Sequence, residues 1–256
     1  MRDQLDRLLN FDSVPHRIVC LVPSLTEMLV DLGLKDKIVG VTKFCVHPKY
    51  IRKTAEVIGG TKSIKIGKIK GLQPDFILAN KEENSFENIN VLSENHSVYV
   101  SDIKTIDDLL TLIKDLSEIF KIQQKANLLI EDIQTNFIKF RREMKNLPTL
   151  KVAYFIWRDP WMVTGSSTFI NYLLKLNNFE NVYEDLLRYP DVDIKSLKPV
   201  DYLFLSSEPF PFKDKHKLEF EMNPEKIKIV DGEFFSWYGS RLIKAFEYFK
   251  NLRNKL

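Results

Sequence analysis

The chain carries the same supersecondary pattern twice, about half a chain apart. Ser24–Gly33 aligns with Thr168–Asn177, and in both segments apolar residues recur at helical spacing. A second pair follows in the same order, since Leu72–Ala79 aligns with Leu197–Leu205 and each begins with Leu-x-Pro before a short apolar run. Two related halves predict two α/β lobes with a ligand-binding cleft between them.

Short apolar runs bounded by turn residues alternate with segments of helical period, which is typical of parallel βαβ units. Ser24 and Glu27 have capping-box spacing at the start of the first helix, and Thr168 can cap its counterpart. The predicted fold is therefore α/β, with two Rossmann-like lobes. The predicted strands are Ile18–Val22, Ile38–Val41, Phe76–Ala79, Val98–Val100, Val152–Trp157, Tyr202–Leu205 and Ile227–Val230.

A long segment without glycine or proline separates the two halves, between Thr105 and Leu147. Its second part repeats apolar residues at helical spacing and predicts one helix over residues 122–146, of roughly 37 Å at the standard rise. A coiled-coil seam is the alternative interpretation. We favour a rigid backbone helix joining an N-terminal lobe (1–121) to a C-terminal lobe (147–256), because the apolar stripe ends where the second half begins.

Composition excludes several function classes. Lys and Arg outnumber Asp and Glu by only 38 to 35, and the basic run Lys62–Lys70 lacks the interleaved aromatic residues of a nucleic-acid platform. No segment approaches the ~20 apolar residues that span a bilayer. Met1–Arg7 does not resemble a signal peptide, which predicts a cytoplasmic protein if Met1 is the native start. Cys20 is expected in the core, whereas the role of Cys45 stays open.

The residues that directly follow the predicted strands are the candidates for ligand binding, because ligands of parallel α/β sheets bind at the carboxyl ends of the strands. These loops contain all three tryptophans and two arginines, Arg158 and Arg241. Such a set suits a large, flat, partly anionic ligand, although packing of the aromatic side chains is the alternative. The predicted ligand-binding residues are Pro23, Ser24, Phe44, His47, Trp157, Trp161, Trp237, Tyr238 and Arg241.

Metal and catalytic motifs are sparse. A metal site built from protein alone needs three or four convergent ligands, and the few histidines do not supply them. His47 can be a single axial ligand to a bound chelate or a structural histidine, and His216 is similarly open. There is no G-x-G-x-x-G sequence, phosphate loop or nucleophile elbow. We therefore predict no catalytic residues, no resident metal and no required cofactor.

Several of these segments together resemble a known family. Arg17–Glu27, Val39–Thr42, Gly59–Thr61, Leu72–Asp75 and Tyr238–Leu242 resemble the helical-backbone (class III) substrate-binding proteins of ABC importers, which include cobalamin-binding and ferric-siderophore-binding receptors. The resemblance implies two α/β lobes joined by a long helix. It also implies a monomeric protein that is periplasmic or tethered to a membrane, and that binds a corrinoid or iron chelate.

The resemblance further implies an acid on each lobe that docks onto arginines of a membrane permease. Glu82 or Glu83 in the first half and Glu208 in the second match these positions, and ordinary surface carboxylates are the alternative. Three function classes compete: a binding protein coupled to a transporter, an α/β enzyme or cytoplasmic metallo-chelate carrier with the same cleft, and a scaffold or sensor. The identity of the ligand among cobalamin, haem and ferric siderophores stays open.

Overall fold

The computed structural model describes all 256 residues, which form two compact units. The N-terminal unit comprises Met1–Gln134 together with Tyr238–Arg241, and the C-terminal unit comprises Thr135–Trp237 together with Leu242–Leu256. The sequence predicts Tyr238–Arg241 as part of the C-terminal lobe, whereas the structure includes this segment in the N-terminal unit. No helix is both long and apolar enough to cross a bilayer.

The N-terminal unit is a five-stranded parallel sheet with helices between its strands. Its elements are β1 (Ile18–Cys20), α1 (Pro23–Asp31), β2 (Ile38–Val41), α2 (Ile51–Thr54), β3 (Glu56–Val57), α3 (Ile66–Gly71), β4 (Phe76–Asn80), α4 (Phe86–Ser93), β5 (Val98–Ser101) and α5 (Ile106–Phe120). The strand order is β3-β2-β1-β4-β5, with every pair parallel. Strands β1 and β4 are fully buried, which explains their continuous apolar runs.

Helix α6 (Gln123–Met144) includes the boundary between the two units. Lys121 adopts a left-handed backbone conformation, with φ of 56°, and ends α5 just before α6 begins. The predicted long helix is thus confirmed, although it is three residues shorter than expected. Four residues of its predicted stripe are buried: Ala126, Ile133, Phe140 and Met144.

The C-terminal unit repeats the βα pattern around a mixed sheet. Its elements are β6 (Leu150–Trp157), β7 (Met162–Val163), α7 (Phe169–Leu176), β8 (Phe179–Asn181), β9 (Tyr202–Ser206), β10 (Ile227–Val230), α8 (Gly232–Ser236) and α9 (Leu242–Arg253). The order is β10-β9-β6-β7, β8 also pairs with β6, and only β7 runs antiparallel. The unit has its own apolar core around Phe155, Leu203 and Leu205.

The expected cap of α7 is confirmed, but the expected cap of α1 is wrong. Thr168 Oγ1 accepts a hydrogen bond of 3.1 Å from the Asn171 amide. Helix α1 instead begins at Pro23, after Val22, and no side chain caps it. Proline is common at the first position of a helix, because the amide hydrogen that it lacks would have no partner within the helix. With Pro23 at that position, one fewer amide at the start of α1 needs a capping side chain. Ser24 therefore lies inside the helix.

Candidate functional site

The junction between β1 and α1 contains two predicted site residues, Pro23 and Ser24. Both are buried, and the Ser24 Oγ forms no hydrogen bond within the protein. A buried hydroxyl without a partner is costly, so such groups in folded proteins call for an explanation. Ser24 thus keeps unused hydrogen-bonding capacity at the carboxyl edge of the N-terminal sheet.

The loop after β2 presents Phe44 to solvent. Its side chain is 49% exposed, and the Lys43 ammonium lies 4.9 Å from the ring centroid. Cys45 next to it is buried, with its Sγ 3.2 Å from Thr26 Oγ1, and burial raises the pKa of the thiol. His47 in the same loop is partly buried. The loop therefore combines an anchored cysteine with an outward aromatic ring.

The acidic loop after β4 is held in place by two asparagines. Asn84 Oδ1 accepts from the Asn80 amide at 2.9 Å, and Asn84 Nδ2 donates to the Leu21 carbonyl at 3.3 Å. Asn80 Oδ1 accepts from the amides of Glu82 and Glu83 at 2.8 and 3.3 Å. These bonds fix the backbone that carries the two partly buried carboxylates.

Tyr238 and Arg241 belong to the N-terminal unit and bind its acids. The Tyr238 hydroxyl donates to Glu83 Oε1 at 3.1 Å. Arg241 donates from Nε and Nη2 to the two Glu27 carboxylate oxygens at 2.8 and 3.0 Å. The side chains of Tyr238 and Arg241 are only 6% and 9% exposed. Arg241 is thus paired with Glu27, and its role in binding an anionic ligand stays a prediction.

The last residue of β6, Trp157, is an exposed aromatic residue of the C-terminal unit. Trp157 is 39% exposed and packs edge-on against Phe210, with ring centroids 5.8 Å apart. Arg158, the next residue, donates to Glu219 through its Nε at 3.0 and 3.2 Å. The cation beside Trp157 is therefore already neutralised, and the indole is the accessible feature at this end of β6.

Trp161 and Trp237 both make contacts within the C-terminal unit. Trp161 stacks on Phe212 with centroids 5.8 Å apart and packs against the core of the C-terminal unit. Trp237 is 7% exposed, and its indole N–H donates to Glu208 Oε1 at 2.8 Å. Their predicted contact with a ligand stays a prediction, beside the alternative of packing.

Glu208 follows β9 and is the most tightly constrained acid of the C-terminal unit. Its Oε1 accepts hydrogen bonds from Ser236 Oγ and Trp237 Nε1, each at 2.8 Å. Burial raises the pKa of its carboxyl above the ordinary value and nearby Glu233 adds to that shift, while the two hydrogen bonds oppose it. A Cβ at Gly232 would lie 2.5 Å from Glu208 Cγ, so glycine there makes room for this side chain.

His216 has a structural environment. It is 7% exposed, its Nδ1 accepts from the Lys213 amide at 2.8 Å, and its ring packs edge-on against Phe210 and Phe212. The protein contains no cluster of three or more potential metal ligands.

Sequence reasoning missed other exposed apolar side chains near the carboxyl edges. Tyr50 lies beyond β2 and is 40% exposed, Phe86 lies beyond β4 and is 74% exposed, and Leu187 lies beyond β8 and is 73% exposed. The only signal for them was their position after a strand, which they share with many loop residues. Phe86 was missed because it is the first residue of helix α4 and not a loop residue.

Comparisons with known proteins agree with this architecture. The profile of a family described as "Periplasmic binding protein" matches residues 18–227. An uncharacterised ABC transporter substrate-binding lipoprotein of Bacillus subtilis, YvrC, is 26% identical over 253 residues, covering 91% of this chain and 78% of the relative. A vitamin B12-binding protein of Vibrio vulnificus is 27% identical over 195 residues, covering 75% of this chain and 71% of the relative.

A solved structure supports the fold independently. The periplasmic vitamin B12 binding protein BtuF of Vibrio cholerae superimposes with a TM-score of 0.80, although its sequence is only 21% identical. The match covers 95% of this chain and 99% of the solved one. The fold is therefore shared along almost the whole chain.

Proposed function

The chain belongs to the periplasmic binding protein family, and from that membership we propose that it is the substrate-binding component of an ABC-type importer. Its ligand is a corrinoid or another metal chelate, which it delivers to a membrane permease. The observation that carries this proposal is that an exposed aromatic ring lies at the carboxyl edge of each sheet, with Phe44 among those of the N-terminal unit and Trp157 in the C-terminal unit. Two of its sequence relatives carry names that fit, one a substrate-binding lipoprotein and one a vitamin B12-binding protein.

The chemistry of these edges suits a large chelate. Exposed rings offer flat apolar faces, and ligand sites are mostly apolar with a few polar groups that fix orientation. Ser24 supplies an unused hydroxyl, and His47 supplies an imidazole that can approach a chelated metal. With Arg241 paired to Glu27, recognition depends on ring contacts more than on charge. The proposal assigns no catalysis and no resident metal to the chain.

Titration with ligands tests this proposal through the indole fluorescence. Cyanocobalamin, cobinamide, haemin and a ferric siderophore are added separately, and both fluorescence and heat are followed. Because Trp157 is exposed while Trp237 is buried, most of the quenching should disappear in Trp157→Phe, which retains a ring for binding. Trp157→Ala or Phe44→Ala should weaken binding about 10- to 100-fold, as expected for an anchoring ring.

Leu128→Ala is the matched control, since Leu128 is an exposed apolar residue on α6 that lies at neither edge. It should leave the affinity unchanged. Absence of heat and quenching with all four ligands would refute the metallo-chelate proposal. Recovery of a chemically altered ligand, detected by mass spectrometry, would instead favour the enzyme alternative.

The proposal includes docking of Glu82 or Glu83 and Glu208 onto the permease. The support is that hydrogen bonds hold Glu83 and Glu208, which reduces the entropy lost when a partner arginine binds. Coupling of well-placed charges across an interface reaches about 1.5 kcal/mol or more. The proposal places the protein outside the cytoplasm or tethered to its membrane, and a cytoplasmic metallo-chelate carrier would not need these acids.

Glutamine substitutions separate charge from structure at this docking surface. Glu83→Gln with Glu208→Gln removes both charges and keeps an oxygen that accepts from Tyr238, Ser236 and Trp237. Association with the cognate permease should weaken at least tenfold, about 1.4 kcal/mol, while ligand affinity stays constant. Glu94→Gln with Glu221→Gln, at two other exposed acids, is the control. Undiminished association, also after adding Glu82→Gln, would refute the docking role.

A further inference from the structure

The C-terminal half of α6 and helix α7 border a groove with a volume of about 810 Å³. Its floor is apolar and includes Phe137, Met144 and Leu176. Ile138 at its margin is 68% exposed, one of the most exposed large apolar side chains of the protein. No role has been assigned above to this surface, and all of its residues belong to the C-terminal unit.

The rim of the groove is strongly basic. Arg141, Arg142, Lys145 and Lys175 line it, and only Lys175 has an ion pair, with Glu184 at 2.9 Å. Helix α7 contains no acid. The acid of the last turns of α6, Glu143, pairs instead with Lys250 of α9 at 2.9 Å. Arg141, Arg142 and Lys145 are therefore not neutralised by an ion pair within the protein.

Part of this pattern has an ordinary explanation. Basic residues in the last turn of a helix interact favourably with its dipole, and Arg141 and Arg142 occupy that turn of α6. The dipole accounts neither for the apolar floor nor for the exposure of Ile138. It also does not favour Arg141 and Lys145 at i,i+4 spacing, where like charges repel. A ligand that is both anionic and apolar would satisfy all of these features.

We propose that this groove, defined by Phe137, Ile138, Arg141, Arg142, Lys145 and Lys175, binds an anionic phospholipid at a membrane surface. The lipid phosphate lies among the cations, and the start of an acyl chain lies over Ile138 and the apolar floor. Charge complementarity selects the anionic headgroup, since basic clusters attract anionic membrane surfaces. Exposed apolar side chains beside such a cluster bury themselves at the boundary between headgroups and chains. The inference does not depend on the proposed ligand or permease.

Co-sedimentation with vesicles tests the inference on the intact protein. Vesicles of pure phosphatidylcholine are compared with vesicles of equal parts phosphatidylcholine and phosphatidylglycerol. Binding is expected only to the anionic vesicles and should decline as salt rises, because salt screens exposed charges. Arg141→Glu with Arg142→Glu should lower the partition coefficient at least tenfold. Ile138→Ser should lower it severalfold without altering the salt dependence.

Lys65→Glu with Lys70→Glu is the matched control, because it reverses two exposed cations of the N-terminal unit and changes the net charge equally. The control should bind nearly as the wild type does. Equal losses in both double variants would show general electrostatic attraction and overturn the groove. Equal binding to neutral vesicles, or no binding to either kind, would overturn the anionic-lipid chemistry. Circular dichroism checks that each variant is folded.

Discussion

Glu208 is a partly buried carboxyl whose raised pKa makes the stability of the protein depend on pH. Because its pKa is raised in the folded protein, the native state binds its proton more tightly than the unfolded state does. The contribution of Glu208 to the free energy of unfolding is therefore fully present in acid. It is lost as the pH rises from the ordinary glutamate pKa through the higher pKa of the folded protein. Glu208→Gln removes the titration and keeps the oxygen that Ser236 and Trp237 contact.

We expect Glu208→Gln to be at least as stable as the wild type at neutral pH. Urea unfolding across pH should show the difference in unfolding free energy growing in favour of the variant as pH rises through that window. A difference independent of pH would contradict the raised pKa. Glu225→Gln, at an exposed acid, should show no such trend.

The ion pair between Arg241 and Glu27 is a second test at the residue scale. Both side chains are about nine-tenths buried, so removing one partner leaves a charge without compensation. Arg241→Met should cost about 3–5 kcal/mol of unfolding free energy. Adding Glu27→Gln should recover a substantial part of that loss, because no buried charge then remains. If the double variant were as unstable as the sum of the single variants, the pair would not be coupled.

The sequence could predict which residues lie near the ends of the strands, but it could not predict which side chains they contact. Trp157 ends β6 and Trp237 comes directly after α8, and only the folded chain shows that the first is exposed while the second donates to Glu208. Arg241 is separated from Glu27 by more than two hundred residues. A contact at that separation leaves no local signal, so a buried arginine and a ligand-binding arginine have the same sequence pattern.

At the scale of elements, the cap of α7 gives a direct test. Thr168→Ala removes the acceptor for the Asn171 amide and should destabilise the protein by about 1 kcal/mol. Thr168→Ser keeps the hydroxyl and should lose clearly less. Chemical denaturation of the three proteins measures both changes. Equal losses for Ala and Ser would show that the methyl group, not the cap, matters.

Strands within longer apolar runs were predictable, and isolated short strands were not. All seven predicted strands are present, and even the three-residue β1 was found because it lies in the apolar run Ile18–Val22. Strands β3, β7 and β8 were missed, since each has only two or three residues, with a glutamate in β3 and in β8, and so carries no measurable period. The start of α1 was misplaced by two residues, because Ser24 and Glu27 match a capping box whereas the helix has Val22 as its N-cap and begins at Pro23.

At the scale of the whole molecule, the internal repeat reappears as matching strand pairs. In the first unit β1 pairs in parallel with β4, and in the second β6 pairs in parallel with β9. The internal repeat in the sequence could predict these matching strand pairs, because each half must bury the same kind of apolar face. It could not predict that Tyr238–Arg241, late in the chain, belongs to the N-terminal unit. Hydrogen bonds from Tyr238, Ser240 and Arg241 to Glu83, Asp31 and Glu27 hold this segment to the N-terminal unit.

The proposed ligand should stabilise the native protein as a whole, because a ligand that binds only the folded state shifts the unfolding equilibrium by mass action. At one hundred times its dissociation constant, it should add about 2.7 kcal/mol, which raises the melting temperature of a chain of this size by roughly 5–10 °C. Differential scanning calorimetry with cyanocobalamin, cobinamide, haemin and a ferric siderophore should show this shift for one chemical class. In Phe44→Ala and Trp157→Ala the shift should shrink at the same ligand concentration, whereas in Leu128→Ala it should persist. A shift of equal size in all of these variants would mean that the ligand binds away from the two exposed rings, and the assignment of the site would then be wrong even if the ligand were right.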